Sequence, residues 1–291
     1  MLASGLCACL TGPTPLDTDT DGSTTDIDAR LIDSGPNDPD ARWNDARITP
    51  NTHAIHFDAE SDHHLRVVDR PTGVDVVDTL TIEAWIYLDS LPATDVRYAI
   101  VVKADFNSVD NSYGFEIRNN GGVIYMDARV EGTATGLASN DTRGWNWGAL
   151  VPEVWYHVAF TYDINEANVA DRFHLYIDGS EELVQLPGAG SGSNGAIDSI
   201  RNTATPMIIG ARIGTGKMIN QFNGDIDEVR IWNTVRSPTE IAESYNIELV
   251  GDETDLVGYW PLDNHLNDAS GRGNVASPIG PTPTFTIHTP F

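Results

Sequence analysis

From His53 onward the apolar residues of this chain recur at every second position, and that period dictates strands rather than helices. Leu80-Thr-Ile-Glu-Ala-Trp-Ile-Tyr-Leu88 puts Leu80, Ile82, Ala84, Ile86 and Leu88 on one face and Thr81, Glu83, Trp85 and Tyr87 on the other. Trp155–Tyr162 turns Tyr156, Val158, Phe160 and Tyr162 inward, and Phe173–Ile177 does the same with Phe173, Leu175 and Ile177. Asp178-Gly179 follows as a hairpin turn. Further strands read at 55–57, 99–103, 113–118, 123–130, 207–211, 226–232 and 257–262. A single short helix stands out near Ser237–Asn246, where Ser237-Pro-Thr-Glu240 forms a capping box with Pro at the first helical position. Many strands and one short helix predict an all-β, two-sheet antiparallel β-sandwich of jelly-roll form. No strand–helix–strand alternation appears, which excludes a doubly wound nucleotide-binding sheet.

Charge narrows the partners. The 291 residues hold 43 acidic and 17 basic side chains, a net charge of -26. Such a field repels phosphate backbones and anionic headgroups, so nucleic acid is excluded as a partner. The 2 cysteines, Cys7 and Cys9, lie near the start, leaving the sandwich without a disulfide framework or a thiolate site. Leu6-Cys-Ala-Cys9 is similar to a bacterial lipobox, so residues 1–11 read as the remnant of a lipoprotein signal with Cys9 as the lipidated residue. No apolar stretch reaches the length of a bilayer span. Residues 12–51 lack apolar periodicity and are rich in Thr, Asp, Pro and Gly, which predicts a disordered acidic linker before a domain at 52–291. Asp17, Asp19, Asp21, Gly22 and Asp28 have the spacing of a calcium loop, but position 12 is Asp and no helix flanks it; acidic low complexity explains them better.

An ordered set of segments carries a family resemblance. They are Ala54-Ile-His-Phe-Asp58, Leu80–Trp85, Trp155–Asp163, Leu175-Tyr-Ile-Asp-Gly179, Ile208-Ile-Gly-Ala211, Phe222–Trp232, Val257–Asp263 and Ser270–Asn274. Together they resemble the laminin-G-like jelly-roll (concanavalin A-like) family of secreted bacterial proteins, related to pentraxins. Ala59 and His63 depart from its pattern, and Ser139–Gly148 looks like an elaborated loop. The resemblance implies an extracytoplasmic binding module with a carbohydrate or a cell-surface protein as partner, often with calcium. A structural or adhesive spacer is the alternative, since a fold does not fix a function.

Two candidate sites follow. Alternation in Gly224-Asp-Ile-Asp-Glu-Val-Arg-Ile231 puts Asp225 and Asp227 on the face of Val229 and Ile231, toward the interior. With Asp58 and Asp62 they make a carboxylate set suited to calcium; the plainer reading is that Asp227 accepts from turn amides. His63 and His64 point to opposite faces of a strand, so a chelating histidine pair is not expected. The face opposite the core carries Glu83, Trp85, Glu116, Arg118, Tyr125, Asp127, Arg129, His157, His174 and Tyr176, either a sugar-binding groove or an ordinary solvated face. Trp145 and Trp147, ringed by Gly, either anchor their loop on the body or contact ligand; as ligand contacts they are the preferred stacking residues, with Trp85, His157 and Tyr176 next. A glycosidase needs two carboxyls flanking the scissile bond; the nearest match, Asp225-Ile-Asp227-Glu228, has Val229 where an acid is required. Binding rather than catalysis is therefore expected.

Overall fold

The computed structural model describes residues 51–105, 110–132, 141–146, 150–185, 197–281 and 284–291, with the backbone alone at 141–145. Cys9, Trp147 and residues 12–50 of the expected linker lie outside them. Two antiparallel sheets face each other. The eight-stranded sheet runs β10 (Ser180–Glu182), β9 (Phe173–Ile177), β8 (Trp155–Asp163), β3 (Thr79–Leu88), β14 (Gly224–Trp232), β1 (Ala54–Phe57), β17 (Thr284–Thr286), with β15 (Leu256–Trp260) also paired to β14. The seven-stranded sheet runs β16 (Ala276–Ile279), β2 (His64–Val67), β11 (Met207–Ile209), β4 (Arg97–Ala104), β5 (Asn111–Asn120), β6 (Val123–Glu131), β7 (Asp141–Asn146). A two-stranded ribbon, β12 (Arg212–Gly214) with β13 (Lys217–Ile219), completes the strands.

The period-two faces meet between the sheets. Leu80, Ile82, Ala84, Ile86 and Leu88 of β3 and Val158, Phe160 and Tyr162 of β8 pack against Tyr113, Phe115 and Ile117 of β5 and Met126, Ala128 and Val130 of β6. Phe115 and Phe160 touch edge to face across the gap, ring centroids 5.1 Å apart. Each fully buried Leu, Ile, Val, Phe or Met among them contributes about 1.5–3 kcal/mol. The turn after β9 has φ of 47° at Asp178 and 74° at Gly179, the twist that closes a two-residue hairpin onto Ser180. The helix α1 (Pro238–Ser244) starts as its sequence dictates: Ser237 Oγ accepts from Glu240 N while Glu240 reaches back to Ser237 N.

One face assignment is corrected. Along β14, Asp227 opposes Trp85 and Arg230 opposes Glu83, so Glu228 and Val229 together face the single residue Ala84 of β3. This β-bulge, with Glu228 at φ 51°, shifts the alternation by one residue. Ile226 before it and Val229 and Ile231 after it all reach the core, while Asp225 and Asp227 pair with Tyr87 and Trp85 on the outer face. Gly224 opens the strand because a Cβ there, at φ 137°, would collide with the Tyr87 carbonyl.

Candidate ligand-binding face

The outer residues of the two sheets meet opposite fates. On the eight-stranded sheet the face is closed by a second layer. Ile241 of α1 packs on Ala159 and Tyr176. Trp85 Nε1 donates to Tyr245 O at 2.8 Å, and its ring stacks on that of Tyr245 with centroids 6.0 Å apart. The ring of Phe291 is tilted against it, with centroids 5.8 Å apart. Trp85, His157 and Tyr176, expected to line a groove, are therefore only 7%, 1% and 1% exposed. Beneath α1 runs a network of buried charge. Glu83 Oε2 stands 3.3 Å from His157 Nε2, Arg236 Nε is 3.6 Å from Glu83 Oε1, and Arg230 Nη2 donates to Glu228 Oε2 at 2.6 Å. Burial pushes the pKa of Glu83 up, but His157, Arg230 and Arg236 outweigh it and hold the group at about 2. Burial lowers the pKa of His157.

The four expected calcium ligands are not brought together. Asp225 is gripped by two imidazoles, His56 Nδ1 at 2.8 Å and His288 Nδ1 at 2.9 Å. Asp227 accepts from Asn51 Nδ2 at 2.9 Å and from the Glu228 amide at 3.0 Å. Its pKa is driven well up by burial and by Glu228 beside it. Asp58 is exposed and caps the Glu60 amide, while Asp62 lines a depression with Lys217–Gln221 beside the ribbon. Among the described residues no group of three or more His, Cys, Asp or Glu is placed to hold a metal ion. His63 and His64 are buried, their pKa values lowered by desolvation, and His56 and His64 sit in different sheets.

The outer face of the seven-stranded sheet is built differently. Ile117 and Met126 point inward, so Glu116 and Arg118 on β5 and Tyr125, Asp127 and Arg129 on β6 point out. Register sets Arg97, Arg118 and Tyr125 side by side on β4, β5 and β6, with Glu116 and Asp127 adjacent in the next row. Arg97 Nη1 joins both acids, 3.0 Å from Glu116 and 3.3 Å from Asp127. The ribbon carries Arg212 to within 3.5 Å of Glu116, and Asn220 Nδ2 donates to Glu116 at 2.8 Å. Burial raises the Glu116 pKa, yet Arg212, Arg97 and Arg129 together hold it below the usual carboxylate range. Beside this fixed floor lies a pocket lined by Arg118, Asn120, Tyr125 and Asp127. The backbone of Trp145, on edge strand β7, pairs with that of Asp127. Arg97, Asn120, Arg212 and Asn220 escaped the sequence reading. The two arginines begin strands whose alternation is too short or too bulged to assign their faces, and the asparagines sit at strand ends.

A sandwich with one outer face closed by α1 and the other a braced polar layer with a pocket at Arg118 and Tyr125 defines a jelly roll of concanavalin A-like form. The sequence profile of the concanavalin A-like lectin/glucanases superfamily, laminin G type, matches residues 58–242, and the chain belongs to that family. A comparison with curated proteins finds no match. Among solved structures, a Bacteroides ovatus protein provisionally described as carbohydrate-binding is similar with a TM-score of 0.57 and 23% identity. That likeness covers 81% of this chain and 59% of the other, so this chain spans less than two thirds of that structure. The heptameric pentraxin of Limulus polyphemus gives a TM-score of 0.47 at 18% identity over 67% of this chain and 82% of its own. A sialidase carbohydrate-binding module of Ruminococcus gnavus, bound to sialyllactose, gives 0.44 at 12% identity, covering 65% and 94%. The likeness to the Bacteroides ovatus structure bears on the fold alone. Among the described residues, no helix is long and apolar enough to cross a membrane.

Proposed function

We propose that this chain is a carbohydrate-binding module that takes its ligand on the outer face of the seven-stranded sheet, in the pocket of Arg118, Asn120, Tyr125 and Asp127. The observation that carries the reading is the contrast between the two faces. One is sealed by α1 and residues 288–291, while the other keeps an aromatic ring and hydrogen-bonding groups around an opening above a floor braced by Arg97. Sugars present hydroxyl edges and C–H faces, so a ring flanked by a guanidinium, a carboxamide and a carboxylate is matched to them. The family supports the same class, and the description of the Bacteroides ovatus protein agrees with it. Trp145 and Trp147 remain candidate stacking residues, to be tested by substitution. The reading implies work outside the cytoplasm, with Cys9 as the point of lipid attachment. Calcium is not part of the proposal, because Asp225 and Asp227 already have protein donors. Catalysis is not part of it either: Asp227 and Glu228 are wholly buried and out of reach of a glycosidic bond.

A glycan array of the full chain beside Tyr125→Ala tests the proposal. Loss of the stacking ring is expected to weaken binding about tenfold or more at an unchanged melting temperature. Binding that survives the substitution intact would place the ligand elsewhere.

A further inference from the structure

The proposed pocket carries a charge imbalance that names its sugar. Around the pocket, Arg97, Arg129 and Arg212 each have a carboxylate within 3.5 Å. Arg118 has no carboxylate partner among the described residues, although it lines the pocket. Its cross-strand neighbour is Arg97, and like charges directly opposite one another on a sheet repel. The same crowding shows further along the face. The pKa of Arg212 is pulled down to about 10 by burial and by Arg129 and Arg97. The chain holds 43 acidic side chains against 17 basic, yet none of the acids among the described residues is paired with Arg118. A half-exposed guanidinium held beside another cation is placed for an anion that arrives from outside.

We propose that the ligand is an anionic glycan, whose carboxylate or sulfate pairs with the guanidinium of Arg118 while Tyr125 meets the sugar ring. The inference rests on the pocket being the sugar site. A planar guanidinium offers two parallel N–H donors to a carboxylate or sulfate, a match that a neutral hydroxyl does not exploit. The net charge of -26 does not forbid this. At physiological ionic strength, charges more than about 8 Å apart are largely screened, whereas the Arg118 contact acts at hydrogen-bond range.

The test compares three probes on the full chain: a galacturonic acid oligosaccharide, the same oligosaccharide fully methyl-esterified, and a sulfated oligosaccharide. Esterification removes the charge and leaves the ring. The acid is expected to bind at least about tenfold tighter than its ester, and Arg118→Gln is expected to erase that ratio. Binding of the sulfated probe alone, lost in Arg118→Gln, also supports the proposal and identifies sulfate as the group. Arg118→Gln is expected to melt no lower than the parent, since it relieves the repulsion with Arg97. Equal binding of acid and ester, weakened by Tyr125→Ala and untouched by Arg118→Gln, overturns the anionic inference and leaves the sugar site standing. Binding indifferent to Tyr125→Ala, or none of any probe, overturns both.

Discussion

Glu83 has no exposure, and its carboxylate survives there because His157, Arg230 and Arg236 surround it. Its pKa of about 2 lies below the ordinary 4.5, so the unfolded chain holds the proton more readily than the folded one. The stabilisation is present in full above the unfolded value and drains away as pH falls from there toward 2. The gap is worth about 3 kcal/mol. Glu248 works in the opposite sense. Burial, Glu228 and Asp263 raise it to about 8, so its share is present at low pH and lost as pH rises through that value. Asp227 and Glu228 are raised as well, and act in the same direction. Urea denaturation across the pH range is therefore expected to show greatest stability in mildly acidic solution, at about pH 5. Glu248→Gln is expected to raise the melting temperature at pH 8 and leave it unchanged at pH 5. A profile that climbs steadily to pH 8 would show that the buried acids stay ionised.

At the scale of elements, α1 matters beyond its length, since it roofs the Trp85 face. Seven residues do not hold a helix in water unaided, so its cap and its packing carry it. Ser237→Ala removes the oxygen that accepts from Glu240 N and is expected to cost about 1 kcal/mol in urea denaturation. This helix was legible because a capping box is a local chemical pattern. The long strands β3, β8 and β9 were legible because five or more residues suffice to show a period of two. Among strands of three or four residues, β1 and β11 were read while β2, β12, β13 and β17 were not, because so few positions barely define a period. The bulge in β14 was hidden for another reason: Glu228 takes a left-handed φ without the glycine that usually announces one. Half of the candidate site was legible, since alternation turns Glu116, Arg118, Tyr125, Asp127 and Arg129 outward. Alternation cannot say which outward residues meet water. The contacts that bury Trp85, His157 and Tyr176 come from residues 241–291, far along the chain. Arg97 and Arg212 join Glu116 from separate segments in the same way.

For the whole molecule, the two sheets divide the labour. The eight-stranded sheet is joined to α1 and to residues 284–291, and the seven-stranded sheet bears the proposed ligand face. The strand β17 is held by three paired residues on β1, Ala54 opposite Thr286 and His56 opposite Thr284, and His288 then clips to Asp225. The chain thus enters β1 and leaves β17 at the same end of one antiparallel ladder. A pull applied between residue 51 and residue 291 would load those hydrogen bonds one at a time, as a zipper, rather than all together in shear. Single-molecule stretching is expected to show β17 peeling away at low force, taking His288 off Asp225, before the main rupture. The slack so released lies in the sheet that does not bear the proposed ligand face. A module under tension would lengthen at its seam while its grip stayed unstrained.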